Sequence, residues 1–474
     1  MEAIKNRKSP EISLDKISEL IVGYHKQVPL LNGDMIQYIN FDNAASTPAL
    51  KPVLDKVNEA MEWYSSIHRG TGFKSQLCSE LYDQSREIVA AFVKADGDKD
   101  AIIFVQNATE AINKLANLLP IKPDQVVLVS KMEHHSNDLP WRAKGKVIHI
   151  NILPDGRLDV EDLIAKLKKY HRKVAIVALT GASNVTGWVN DVHELAQICH
   201  EYDSQILIDA AQLAPHRSID MRPHHDPGHI DFLALSAHKI YAPFGSGVLI
   251  GPNMFFEQGD PDYVGGGTVN VVTLEYATWI KPPEKDEAGT PNTIGVIAMA
   301  KSLHTLMDIG MDKVADHERQ LTRYILMQLR EIPEIEIYGS ADPGLVNNRL
   351  GVISFNIKDM PHALTAAILN NEYGVGVRNG CFCAHPYVKL LLGLNDETSK
   401  KLEQEMLEGN RSNLPGAVRA SFGLYNSIPE IDRFIEALKK IVDKKYGGTY
   451  VLDKKEGAYY PQGYRQDFQK FLTL

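Results

Sequence analysis

The chain has 474 residues, 44% of them hydrophobic, with 51 Lys+Arg against 60 Asp+Glu for a formal charge of -9. This is enough length and apolar content for more than one domain, and it excludes disordered and collagenous chains. The mild acidity offers no electrostatic attraction to a phosphate backbone or an anionic membrane. Cys78, Cys199, Cys381 and Cys383 are too few for a disulfide-stapled secreted scaffold. The charged start lacks the apolar stretch of a secretory signal, and no apolar run approaches membrane-spanning length. The expectation is a cytoplasmic protein with neither nucleic acid nor membrane as partner.

In chain order, apolar spacing predicts helices over 51–64 and 80–93. From about 100 to 250, short apolar runs alternate with longer periodic segments, the pattern of a mainly parallel α/β sheet. Strands are expected at 101–105, 125–130, 174–180, 205–209, 232–236 and 247–251, with helices at 159–170 and 192–202. Residues 259–292, rich in Gly and Pro, read as loops and short strands near a site. Two long helices follow over 294–309 and 311–332. Strands at 352–357, 375–378 and 418–423, with helices at 363–370 and 430–444, make a second, smaller α+β unit. Residues 446–474 show no secondary-structure pattern. The division expected is a segment over 1–37, a large domain over 38–310, a small domain over 311–446 and a tail over 447–474.

Several strand ends carry residues suited to chemistry. Lys239, in Ser236-Ala237-His238-Lys239, stands just past an apolar strand. Partial desolvation there lowers an amine's pKa and makes it nucleophilic, and ligands of open α/β sheets gather at such strand ends. On its own it reads better as a surface lysine opening a loop. Asp209 closes another apolar strand, three residues before Gln212. A carboxylate there faces either a cation, such as a protonated pyridine nitrogen, or a helix N-terminus that it caps. Ala108 and Thr109 lie between a strand and a helix, where unpaired N–H groups suit a phosphate, though Thr109 equally suits a cap. His134, in Glu133-His134-His135, is placed to stack on a flat ring or move protons, or to stand in solvent as a bystander. Cys381-Phe382-Cys383-Ala384-His385 offers part of a metal site, but no second Cys/His cluster completes four ligands. Otherwise it offers a nucleophilic thiol on a mobile loop, which needs an activating neighbour.

Taken together, Ser236-Ala237-His238-Lys239, Asp209-x-x-Gln212, Glu133-His134-His135, Glu287-Ala288-Gly289-Thr290-Pro291-Asn292 and Arg378-Asn379-Gly380-Cys381-Phe382-Cys383-Ala384 resemble the class V aminotransferase family. Within it the resemblance is to the cysteine desulfurase/selenocysteine lyase (suf-type) branch, from about Tyr38 to Val442. It implies an α/β, fold type I transferase that depends on pyridoxal 5′-phosphate (PLP). Such a fold has a large domain with a mainly parallel, seven-stranded-type sheet and a smaller α+β C-terminal domain. It implies L-cysteine or L-selenocysteine as substrate, a homodimer, a sulfur-acceptor protein as a further partner, and no metal.

By motif, the resemblance implies that Lys239 joins the cofactor aldehyde, Asp209 pairs with its pyridinium nitrogen, Gln212 bonds its ring oxygen and His134 stacks on it. Ala108, Thr109, Ser236 and His238 would hold its phosphate, and Thr290 would reach the phosphate of a neighbouring subunit. Asn184 would sit beside cofactor and substrate, Arg419 would clamp the substrate carboxylate, and His68 with Asn43-Ala44-Ala45 would line the substrate pocket. Lys239 would remove the Cα proton. Cys383 would take the sulfur as a persulfide while alanine leaves. Cys381 stands where this pattern commonly has histidine, and Gly181 where many relatives carry histidine. Cys-Phe-Cys after Arg-x-Gly is also similar to the desulfurase part of molybdenum cofactor sulfurases. Alternative activities on the same scaffold are selenocysteine lyase, another C–S lyase or an epimerase. A non-catalytic sulfur-carrier scaffold is the reading from a different class.

Overall fold

Contiguous runs of branched aliphatic residues build the central sheet. Val126–Ser130, Val174–Thr180, Ile206–Asp209 and Phe232–Ser236 are buried almost throughout, as strands covered on both faces must be. The computed structural model describes residues 14–68 and 70–474. In it these four strands join Asp100–Val105, Lys146–Ile150 and Gly247–Pro252 in a seven-stranded sheet. Its order is 100–105, 247–252, 232–236, 206–209, 174–180, 126–130, 146–150. Of these strands only 247–252 runs against its neighbours; the other pairings are parallel, so the sheet is mainly parallel, as expected.

Side chains alternate across the sheet with the period-2 geometry of a strand. Ala101, Ile103 and Val105 enter one core layer, while Ile102 and Phe104 enter the other. The helix Ala108–Leu118 covers the first face through Ala111, Ile112 and Leu115. Lys51–Trp63, Phe73–Val93 and Thr293–Ile309 are among the helices covering the second. Because 100–105, 126–130, 174–180, 206–209 and 232–236 point the same way, their carboxyl ends share one edge, where ligands bind in such sheets. Gly247 lets that edge close. A Cβ there would lie 2.7 Å from Asn107 Cα and 2.7 Å from Leu235 O, so only glycine lets the start of the 108–118 helix approach the sheet.

The second unit is a four-stranded antiparallel sheet in the order Ile335–Tyr338, Val352–Ile357, Ala417–Ser421, Arg378–Gly380. Met311–Arg330, His362–Tyr373 and Ile428–Val442 cover it with a core that includes Leu321, Ile325, Leu329, Phe355 and Phe434. Ile39 and Phe41 also pack here, and Ile39 pairs in parallel with Val375. The chain just after 38 therefore packs in the second core. Glu318 ties the two units together. Its buried carboxylate meets His216 Nδ1 at 2.9 Å, the Arg217 guanidinium, and the Gly351 N–H at 2.8 Å. Burial alone would raise its pKa, but His216 and Arg217 override that and hold it at about 2.

Some elements were not expected from the sequence. Lys146–Ile150 is a partly exposed edge strand whose Lys146 and His149 interrupt the apolar run. The helix Asp396–Leu407 buries no residue, so it has no apolar stripe to read. The helix expected from 80 starts at Phe73. The tail forms a hairpin of Tyr450–Asp453 and Ala458–Pro461. Among the described residues no single helix is long and apolar enough to cross a membrane.

Candidate active site

The strand 232–236 runs into one 3-10 turn, Ala237–Lys239, at the shared sheet edge. The His238 carbonyl accepts the Thr47 N–H at 2.9 Å and the Ser46 hydroxyl at 3.1 Å, which pins that turn. Burial brings the Lys239 amine down to about 8; Asp209 opposes the shift and Arg419 adds to it. Asp209 is 4% exposed, and its Oδ1 accepts the Ala211 N–H at 3.0 Å. Burial raises its pKa, against the pull of Ala211 and Lys239. Gln212 donates from Nε2 to the Ala44 carbonyl at 2.6 Å, while its buried Oε1 has no partner among the described residues.

His134 is carried by a loop that buried Glu133 holds in place. Glu133 accepts from the Asn137 amide at 2.7 Å and the Thr180 N–H at 3.1 Å. His134 Nδ1 accepts the Ser136 N–H at 3.1 Å. Burial first, and the Lys239 charge second, push this imidazole down to about 3, so it is neutral at physiological pH. The Ser136 hydroxyl lies 2.6 Å from that of Thr109, in the first turn of the 108–118 helix. Asn107 caps that helix by accepting the Glu110 N–H at 3.0 Å, and the Ala108 N–H donates to Ser236 Oγ at 2.7 Å. A helix N-terminus and several hydroxyls thus converge where an anion would be held. His238, beside them, is brought down to about 4 by burial and by Lys239.

The opposite wall comes from the second unit. Arg419, 3% exposed, donates to the Asn184 carbonyl at 2.9 Å and meets Asp42 at 3.2 Å. Its buried Nε has no partner among the described residues, and burial lowers its pKa to about 10 despite Asp42. Its guanidinium lies 4.8 Å from the Phe382 ring centroid. The Asn184 amide donates to the Phe382 carbonyl at 2.7 Å, and the His135 N–H donates to the Cys383 carbonyl at 2.7 Å. Phe382 and Cys383 are both left-handed, at φ 51° and 54°, an uncommon conformation for non-glycine residues. That turn leaves Cys383 exposed and Cys381 buried. The Cys381 thiol donates to the Pro415 carbonyl at 3.1 Å, and burial pushes its pKa up to about 11.

Apart from Asn43, His68 and Thr290, every residue expected at the site lines one cavity of about 470 Å³. Asn43 is buried behind that lining, where its amide donates to the Ser421 carbonyl at 3.1 Å. His68 and Thr290 are exposed and also lie outside the lining. His68 donates its N–H to Ser79 Oγ at 2.7 Å and sets its ring against Tyr82. Glu287, at the head of the Thr290 motif, is fixed by Arg86 contacts at 2.9 and 2.7 Å and by the Tyr82 hydroxyl at 2.9 Å. Asp42, Ser136 and Asn107 were not singled out from the sequence. Asp42 is the hardest to find there, because it pairs with Arg378 and Arg419 from far along the chain.

The sequence matches the Aminotransferase class-V family over residues 39–434. The chain belongs to that family, and the fold is the α/β, type I transferase fold expected from the motifs. It is 34% identical over 415 residues to a probable cysteine desulfurase of Halobacterium salinarum, covering 86% of this chain and 91% of the relative. It is 32% identical over 429 residues to a cysteine desulfurase of Serratia proteamaculans, covering 88% and 96%. The apo structure of a cysteine desulfurase from Thermococcus onnurineus NA1 matches with a TM-score of 0.78 at 30% identity, over 92% of this chain and 100% of that one.

Proposed function

We propose that the chain is a PLP-dependent cysteine desulfurase that converts L-cysteine to L-alanine and takes the sulfur onto Cys383 as a persulfide. One observation carries this reading. An amine, a buried carboxylate, a neutral imidazole, a buried guanidinium and an exposed thiol, all from separate segments, line the same cavity. The names of its relatives support the same activity.

The residues present fit the cofactor. Gln212 Oε1 is buried at this cavity without a partner among the described residues, an acceptor open to a ring hydroxyl, and Arg419 Nε, likewise unpartnered, is a donor open to the substrate carboxylate. When bound, PLP would supply an aldehyde for the substrate amine and a cationic ring that takes up an electron pair from Cα. Asp209 would keep the ring nitrogen protonated and Gln212 would bond the ring oxygen. Ala108, Thr109, Ser236 and His238 would hold the phosphate, with His134 against the ring face. Lys239 would carry the cofactor and, once freed, move the Cα proton. Arg419 would fix the substrate carboxylate with its planar fork, beside Asn184. Cys383 thiolate would then attack the substrate sulfur; an S–S bond forms, the Cβ–S bond breaks with its electron pair left on carbon, that carbon takes up a proton, and alanine departs.

The exposed positions of His68 and Thr290 suit residues offered to a neighbouring subunit, so the reading includes a homodimer. Incubating the purified protein with PLP and L-cysteine tests the activity. The expected result is a yellow protein that forms alanine and sulfide in equal amounts in the presence of a thiol reductant. A protein left colourless by PLP, or one that forms no alanine, overturns the proposal. Turnover of L-selenocysteine without turnover of L-cysteine would move the assignment to selenocysteine lyase.

A further inference from the structure

A sulfur held on Cys383 has to leave, and a second cavity adjoins the first. It measures about 1190 Å³, above the roughly 300–1,000 Å³ of ordinary small-molecule sites. Its floor is one face of the 362–373 helix, where Ala363, Ala366, Ala367 and Asn370 recur at helical spacing and leave room above them. Its far wall is the tail, from the 450–461 hairpin to Gln469. Asn379 lines both cavities, four residues before the exposed Cys383. Tyr38, on the groove, also feels the charge of Asp42, which holds Arg378 and Arg419.

The groove wall combines aromatic faces with carboxylates. Tyr459, Tyr460, Tyr464 and Phe468 line it, and the Tyr460 hydroxyl donates to Glu456 at 2.6 Å. Asp453, Glu456 and Asp467 face it against Arg465, the one cationic lining residue among those described. Aromatic faces and a net negative charge both favour a cationic occupant. We propose that this groove docks a cationic polypeptide segment carrying a thiol and leads that thiol to Cys383. The chemistry rests on the desulfurase reading. The incoming thiolate attacks the outer sulfur of the persulfide; a new S–S bond forms on the acceptor, the bond to Cys383 Sγ breaks, and Cys383 leaves as thiolate with the electron pair. No external oxidant or reductant is needed.

The test uses the full-length holoenzyme with L-cysteine and three acceptors. These are dithiothreitol and two fluorescein-labelled decapeptides with one cysteine each, one built otherwise of lysine and leucine, the other of glutamate and leucine. The lysine peptide should bind by fluorescence anisotropy and accept sulfur with a KM about tenfold below that of the glutamate peptide. A Glu456→Lys/Asp467→Lys variant, changed at two exposed positions, should lose that preference while its alanine production with dithiothreitol stays within about twofold. The remote reversal Glu161→Lys/Glu201→Lys should keep the preference, which separates the groove from the overall charge. Equal KM values for the two peptides, or an unaltered preference in the groove variant, overturns the proposal. So does a change in the holoenzyme's sedimentation in place of peptide binding, since a second copy would then fill the groove. Failure to form alanine with dithiothreitol would instead sink the desulfurase reading, because anisotropy judges the groove without turnover.

Discussion

The two walls of the active-site cavity are built in opposite ways. The wall from 206 to 239 rises directly from buried parallel strands, and its Asp209 and Gln212 are each 4% exposed. The wall from 381 to 384 is a loop between the strand 378–380 and the helix His385–Leu391; it has two left-handed residues and is anchored by hydrogen bonds from Asn184 and His135 to its carbonyls, by the Cys381 thiol on the Pro415 carbonyl, and by the stacking of His385 on His135 at 4.8 Å. A cofactor's charge is best served by groups that need no reorganisation. A thiol that must meet the substrate and then an acceptor is better served by a loop that can move.

This contrast is open to direct attack. Lys239→Ala should have the largest effect, lowering alanine formation by about 10⁴-fold, at the upper end of a general-base contribution, and abolishing the cofactor-linked yellow absorbance. A variant that kept both would show that the rigid wall is not where the chemistry resides. Cys383→Ser should lower alanine formation by about 10²-fold or more while leaving that absorbance unchanged. Loss of cofactor as well would mean that the two walls are not independent.

The rigid wall also has a pH signature. The folded-state pKa of Lys239 is depressed to about 8, so the amine is protonated and unreactive below that value and free above it. Uptake of PLP by the apoprotein should therefore rise with pH around a midpoint near 8, followed by stopped-flow absorbance. A midpoint near the ordinary lysine value would show that burial does not tune this amine. The smallest effect is expected for Cys381→Ser. The Cys381 thiol is buried, bonded to Pro415 and pushed up to about 11, so it stays protonated at neutral pH and activity should remain within about twofold.

What the sequence revealed follows from where the information lies. Buried parallel strands are contiguous apolar runs, so most of the central sheet and the residues at its carboxyl edge were legible. The edge strand at 146–150 and the exposed helix at 396–407 were not, because neither carries a continuous apolar signal. Cys381 and Cys383 look equivalent in Cys-Phe-Cys. Only the left-handed turn and the distant Pro415 carbonyl separate the buried thiol from the exposed one. The tail hairpin depends on packing against the 362–373 helix, far away in sequence.

The central claim is that the exposed thiol receives sulfur at a cavity whose opposite wall holds the reactive amine. Mass spectrometry of peptides from the holoenzyme treated with L-cysteine tests it most directly. The account predicts the addition of one sulfur atom, about 32 Da, on Cys383 and none on Cys381. Addition on Cys381, or on neither residue while alanine forms, would contradict it.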